Sequence, residues 1–147
     1  MKQLLLILWV LPFYALPQAE AGYTRVHKDS INTHRLAFVS SLADRILTAQ
    51  QGGGYYPLNA HEADVTMRKA LNEAVQKQAY SQLSRSFGEY QGLIFDELLV
   101  PLEGIAFEIY RFRGQFGSSG MGVEIRAVLN PEGRLAGFYY KPWRERL

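Results

Sequence analysis

The stretch Glu108–Arg126, "EIYRFRGQFGSSGMGVEIR", decides how the chain folds. Apolar and polar side chains alternate on both sides of Gly117-Ser118-Ser119-Gly120, the period-two pattern of two amphipathic strands joined by a turn. A four-residue loop there sets Phe112 opposite Ile125, Tyr110 opposite Ala127 and Gly114 opposite Val123 on one apolar face. The other face then carries Arg113 opposite Glu124, Arg111 opposite Arg126 and Ile109 opposite Val128. A one-residue slip would bury the arginines, so the alternation itself argues for this register.

Working outward, Asn130-Pro131-Glu132-Gly133 reads as a second turn, and "RLAGFYYKPW" (134–143) as a last strand stopped by Pro142. Four loop residues here predict Ile125 opposite Phe138 and Val123 opposite Tyr140. They also put Arg126 opposite Gly137, Glu124 opposite Tyr139 and Val128 opposite Leu135. Upstream, "LIFDELLV" (93–100) is a short apolar strand ended by Pro101. Before it the period changes. Leu36, Val39, Leu42, Ala43 and Ile46 recur at helical spacing until Gly52-Gly53-Gly54. Asn59 with Glu62 makes a capping-box-like start to a second helical run, Met67 to Phe87, which Asn72 divides or leaves whole and Gly88 ends. Helices first and a meander after predict an α+β fold. Two or three N-terminal helices pack on one face of a curved, four-stranded antiparallel sheet.

The first residues, "MKQLLLILWVLPFYALPQAEAG", have the form of a secretory signal peptide. Lys2 is the basic start, Leu4–Leu16 the apolar core, and Ala19-Glu20-Ala21 the small-x-small cleavage site. The expected organisation is a signal peptide over 1–21, a flexible lead-in over 22–31 and one α+β domain over 32–147. The expected location is exported, in a bacterial periplasm or secreted, with no membrane attachment after cleavage. Net charge is only +2, without a dominant basic block, which argues against nucleic acid as the partner. The chain has no cysteine, so disulfides, thiol nucleophiles and lipoprotein acylation are excluded.

The three arginines 111, 113 and 126 have two readings. One is a clamp for an anion or carboxylate, which the guanidinium fork suits. The other is a solvated sheet face with an Arg113–Glu124 cross-strand pair. The same face also holds Ile105, Phe107, Ile109, Val128 and Leu135. That is too apolar to be simply wet and predicts a patch for a protein partner or a second copy of the chain. The candidate binding residues are therefore Phe107, Ile109, Arg111, Arg113, Glu124, Arg126 and Tyr139. Nine tyrosines and eight phenylalanines are enough to line a pocket between helices and sheet. Its candidates are Tyr80, Tyr90, Asp96, Tyr110 and Phe112, with Asp96 as a base if buried.

Histidines 27, 34 and 61 lack metal-ligand spacing, and no nucleophile-elbow, phosphate-loop or dinucleotide pattern occurs. No catalytic residue, metal or cofactor is assigned on this basis.

"YRFRGQF…GVEIRAVLNPEGRLAGFYYKPW", with "FGEYQGL" upstream, resembles the end of a bacterial exported domain family of unknown function. The resemblance spans roughly residues 36–143 and rests on turn and core positions. It implies a cystatin-like, nuclear-transport-factor-2-like roll, in a family whose members also occur fused to α/β-hydrolases. It carries over no catalytic residue. The expected function is a non-catalytic, exported binding or protein-interaction domain. The alternative is a small acid–base pocket enzyme, such as an isomerase, a dehydratase or a hydrolase accessory, with Asp96 or His61 working beside tyrosines.

Overall fold

Asparagine caps organise the helical half. In the computed structural model, which describes residues 22–117 and 122–145, Asn32 Oδ1 accepts from Arg35 N–H at the start of α1 (Thr33–Gln51). Asn72 Oδ1 does the same for Val75 N–H at the start of α3 (Glu73–Phe87), so the run from 60 to 87 is divided there. Between them lies α2 (Val65–Ala70), capped by Asp64 Oδ1 on Met67 N–H at 2.7 Å. Asn59 and Glu62 do form the reciprocal bonds of a capping box, at 3.1 Å and 3.2 Å. The box closes a turn, not a helix, because Ala63 leaves for a bridge with Leu135 and the helix restarts at Val65. Gly88 ends α3 at φ +89°, where a side chain would be strained.

The sheet has five strands, not the four expected. Its order is β1 (Tyr23–Arg25), β2 (Tyr90–Pro101), β3 (Glu108–Phe116), β4 (Val123–Leu129) and β5 (Leu135–Pro142), antiparallel throughout. The extra strand comes from the segment read as lead-in. Three residues are too few for periodicity to register, and β1 is held by backbone pairing along the edge of β2, Arg25 opposite Leu99. A 3-10 turn at Lys28–Ser30 follows it.

β3 and β4 pair as the alternation predicts, from Gly114 opposite Val123 to Ile109 opposite Val128. Residues 118–121 of the connecting turn lie outside the described residues, and with them Met121, which a four-residue loop would pair with Phe116. The next register differs. Ile125 faces Tyr140, Arg126 faces Tyr139, Glu124 faces Lys141 and Val128 faces Gly137. The turn uses five residues: Asn130 N–H bonds the Arg134 carbonyl, and Asn130 Oδ1 accepts Arg134 N–H. Ala136, the extra residue of β5 between Gly137 opposite Val128 and Leu135 opposite Leu129, bulges there, which completes the shift and turns Leu135 to the inner face.

That inner face carries the main core. Tyr110, Phe112, Ile125, Ala127, Leu129 and Phe138 pack on Val39, Leu42, Ile46 and Leu47 of α1, with Met67 and Leu83 from α2 and α3. Arg35 fastens α1 to one end of the sheet, through Glu108 at 3.1 Å and the Pro131 carbonyl at 3.0 Å.

Candidate functional site

Arg111 is 1% exposed, the largest of the fully buried side chains, although it stands on the face away from the helices. Its surroundings follow from the strands beside it. β2 has an irregularity between Phe95 and Glu97, so that Asp96 and Glu97 both reach one arginine on β3. Nη1 bonds Asp96 Oδ2 at 2.6 Å and lies 3.5 Å from Glu97 Oε1. Nε bonds Glu124 Oε1, one strand over on β4. Nη2 bonds the main-chain carbonyl of Arg144, and the Trp143 ring covers the guanidinium at 4.0 Å.

The network extends to both sides. Arg25 of β1 bonds Glu97 Oε2 at 2.6 Å, which ties the edge strand into the cluster. On the far side Glu124, 0% exposed, meets Lys141 at 3.1 Å and Arg126 at 3.4 Å. Lys141 reaches Glu124 only because of the β4–β5 shift; the four-residue loop would have placed Tyr139 there. Arg113 is opposite Glu124 in backbone register, as expected, but the buried ion pair of Glu124 is with Arg111. Arg113 is exposed and lies over Trp143 at 5.3 Å. Three carboxylates, Asp96, Glu97 and Glu124, thus serve Arg25, Arg111, Arg126 and Lys141, with Arg113, Arg144 and the carboxylate of Glu145, which accepts from Trp143 Nε1 at 3.1 Å, at the rim. Cations are in excess. Burial, and after it the charges of Arg111 and Arg144, pull the Lys141 ammonium below its ordinary pKa despite its contact with Glu124.

The expected apolar patch is divided. Ile109 and Val128 are 1% and 3% exposed and form a small second core with Leu99, against which Phe107 and Tyr139 pack. Ile105 remains 61% exposed, and Leu135 belongs to the main core. Of the candidate binding residues, Arg111, Arg113, Glu124 and Arg126 come together. Phe107, Ile109 and Tyr139 adjoin them as packing, with the Arg126 guanidinium 6.0 Å from the Tyr139 ring.

The pocket candidates are not assembled as expected. Tyr90, Tyr110 and Phe112 are buried on the inner face, whereas Asp96 faces Arg111 on the other side of the sheet. His61 is exposed on the turn before α2. Tyr80, Tyr90 and Tyr140 tie helices to the sheet, while Tyr110 bonds within its own strand. Tyr90 donates to Asp44 at 2.6 Å, Tyr140 to Gln50 at 3.1 Å and Tyr110 to Glu108 at 2.9 Å, and Tyr80 OH accepts from Tyr90 N–H.

Burial raises the pKa of Tyr90, Tyr110 and Tyr140, reinforced by the neighbouring carboxylate at the first two. Unfolded, each phenol ionises near pH ~10. The raised folded values therefore contribute stability that is complete below that pH and is lost as pH climbs above it. These three tyrosines are expected to ionise only together with alkaline unfolding. Tyrosinate absorbance and circular dichroism followed on one pH ramp check this; ionisation of all the tyrosines in the folded state would contradict it.

Sequence reasoning missed Arg25, Glu97, Lys141, Trp143 and the Arg144 carbonyl. Asp96-Glu97 inside an apolar strand was the one available signal, since two adjacent acids cannot both face water in a regular strand. Nothing in the sequence marked the segment after Pro142 as a cover. Among the described residues no group of three or more acids, histidines or cysteines is placed to hold a metal, and no helix is long and apolar enough to cross a membrane. No family model, curated protein or solved structure matches this chain.

Proposed function

We propose that the protein is an exported, non-catalytic binding domain whose outer sheet face, around Arg111, takes a carboxylate-bearing segment of a protein partner. The observation that carries this reading is the surplus of cations at the face, where Arg25, Arg111, Arg126 and Lys141 share Asp96, Glu97 and Glu124 and which an incoming anion would relieve. Arg113 and Trp143 offer an exposed guanidinium beside a half-buried indole, and Ile94, opposite Arg113 and 52% exposed, adds an apolar contact. Such sites draw orientation and on-rate from charge, and affinity from aromatic and aliphatic burial. The signal-peptide pattern and the absence of cysteine support export. Helices on one face of an antiparallel sheet are compatible with the cystatin-like, nuclear-transport-factor-2-like roll, which belongs to this proposal.

The test uses rim charges whose reversal leaves the core intact. Arg113→Glu together with Arg144→Glu is expected to keep the circular dichroism spectrum. It should lose, by about tenfold or more, whatever protein the native chain captures from the exported fraction, as removal of about two charge contacts predicts. The native interaction should also weaken with salt. A partner list and oligomeric mass unchanged by the double substitution would remove the site from consideration.

A further inference from the structure

β2 is paired along nearly its whole length on one edge and at one end only on the other. On the first edge β3 accompanies it from Tyr90 to Leu99. On the second, β1 lies opposite Leu99, Val100 and Pro101, and Val26 N–H adds a bond to the Leu98 carbonyl. The chain then leaves in the 3-10 turn at Lys28–Ser30. Among the described residues no strand and no backbone hydrogen bond meets this edge from 91 to 97. Such an edge is a template for one more strand unless proline, lysine or a bulge guards it. The stretch 91–97 has neither proline nor lysine. Its irregularities lie near its ends, and between them Gly92, Leu93, Ile94 and Phe95 pair with β3 without interruption.

The side chains along this edge define what the strand would carry. β1 shows how an acid of the outer face is satisfied from here, since Arg25 reaches Glu97 at 2.6 Å. Asp96, beside it, bonds Arg111 on β3 yet keeps a side chain 35% exposed. A basic residue on an added strand meets it as Arg25 meets Glu97. Phe95 is half-buried against the main core and offers an apolar neighbour on the inner face. Ile94 is exposed and lies opposite Arg113. A residue on the far side of Ile94 is two strand spacings from Arg113, about 10 Å, which an arginine and a glutamate side chain span between them.

We infer that the partner's segment binds as a sixth strand on the free edge of β2, end to end with β1 and antiparallel to β2 as β1 is. It carries a basic residue beside Asp96, an apolar residue beside Phe95 and an acidic residue beside Ile94, whose carboxylate crosses Ile94 to Arg113. Because the strand is antiparallel, the order in the partner is base, apolar, acid. This inference rests on the carboxylate reading of the outer face and supplies its mode of binding: backbone pairing gives affinity and the alternate side chains give choice of partner. A second copy of the chain fits the edge less well. Its β2 laid antiparallel about Ile94 would set Ile94 against Ile94 and Gly92 against Asp96, with no anion for Arg113 and no cation for Asp96.

The probe is a synthetic strand, fluorescein-labelled Thr-Val-Lys-Val-Glu-Val-Thr, added to the native chain and followed by fluorescence anisotropy and by the amide NMR signals of the protein. The expected result is movement of the amides of residues 92–96. Binding should be about tenfold tighter than that of the same peptide with lysine and glutamate exchanged. N-methylation of alternate peptide residues should abolish binding in one phase and spare it in the other, since only alternate N–H groups of an added strand point at β2. Arg113→Glu should weaken the probe by about tenfold, and lysine in place of the probe's glutamate should restore it. Binding that moves Arg113 and Trp143 but not 92–96, or that ignores N-methylation, overturns the added strand and leaves the carboxylate site standing. N–H-dependent binding that is indifferent to Arg113→Glu keeps the added strand and removes the carboxylate reading. No binding, or movement of 92–96 on concentrating the protein alone together with a doubled mass, overturns the inference, the latter in favour of a second copy.

Discussion

Arg111→Ala is expected to lower the free energy of unfolding by about 3–5 kcal/mol, the range for breaking a buried ion pair from one side. Glu124 is fully buried, and its shortest contact is with Arg111 Nε. Arg126 and Lys141 remain beside it and keep the loss from being larger. Asp96 is partly exposed and Glu97 retains Arg25, so water and that arginine absorb the other two vacancies. Arg111→Lys keeps the charge but has no fork to reach Asp96, Glu124 and the Arg144 carbonyl together, so it should recover only part of the loss. Arg111→Met combined with Glu124→Leu should be more stable than the sum of the single changes predicts, because the Arg111–Glu124 pair is removed as a whole and only Arg126 and Lys141 lose a partner. Urea denaturation of the native chain, Arg111→Ala, Arg111→Lys, Arg111→Met, Glu124→Leu and the double variant measures this. If Arg111→Ala lost less than ~1 kcal/mol, the cluster would be a solvated surface network and its role in organising the face would be wrong.

The second large effect is expected at Gln76. This side chain is 0% exposed and makes four bonds that join α3 to α1, to the loop before α2 and to the end of α2. Its carbonyl accepts from Tyr56 N–H at 2.9 Å and from Gln50 Nε2 at 3.3 Å. Its amide donates to the Tyr56 carbonyl at 2.8 Å and to the Leu71 carbonyl at 2.9 Å. Gln50 in turn accepts from Tyr140, so the chain of bonds runs from the loop before α2, through α3 and α1, to β5. Gln76→Leu is nearly isosteric and takes a partner from the Tyr56 N–H, from Gln50 Nε2 and from the Tyr56 and Leu71 carbonyls. At ~1–3 kcal/mol for each unsatisfied group, a total loss of about 3 kcal/mol or more is expected. Hydrogen exchange should show the Tyr56 amide opening first. A near-neutral substitution would mean that water reaches these groups.

Local chemistry wrote much of this architecture into the sequence. The heptad-like spacing of Val39, Leu42, Ala43 and Ile46 is the buried stripe of α1, and Asn72 and Gly88 bound α3 as their residue types require. The pairing of β3 with β4 was legible because two opposed faces had to agree in polarity at once. The pairing of β4 with β5 was not. A five-residue turn and a bulged Ala136 are small energetic choices that keep Phe138 and Tyr140 on the inner face, as a four-residue loop also would, so pattern alone does not separate the two. The Asn59–Glu62 box shows the same limit. Its hydrogen bonds form as written, yet Ala63 is drawn to Leu135 and the helix starts later.

What the sequence determined by itself is the division into a helical half and a meander, the inward set of β3 and β4, and the placing of Arg111, Arg113, Glu124 and Arg126 on one face. These follow from side-chain period, a property of contiguous residues. What only the tertiary structure decided is the fate of that face. The irregularity in β2 sends two carboxylates to one arginine, and the β4–β5 shift brings Lys141 to Glu124. Trp143 and the Arg144 carbonyl close over Arg111 from a segment with no period of its own. Each depends on contacts between residues far apart in the chain, whose geometry is set by how the strands pair and not by any local preference.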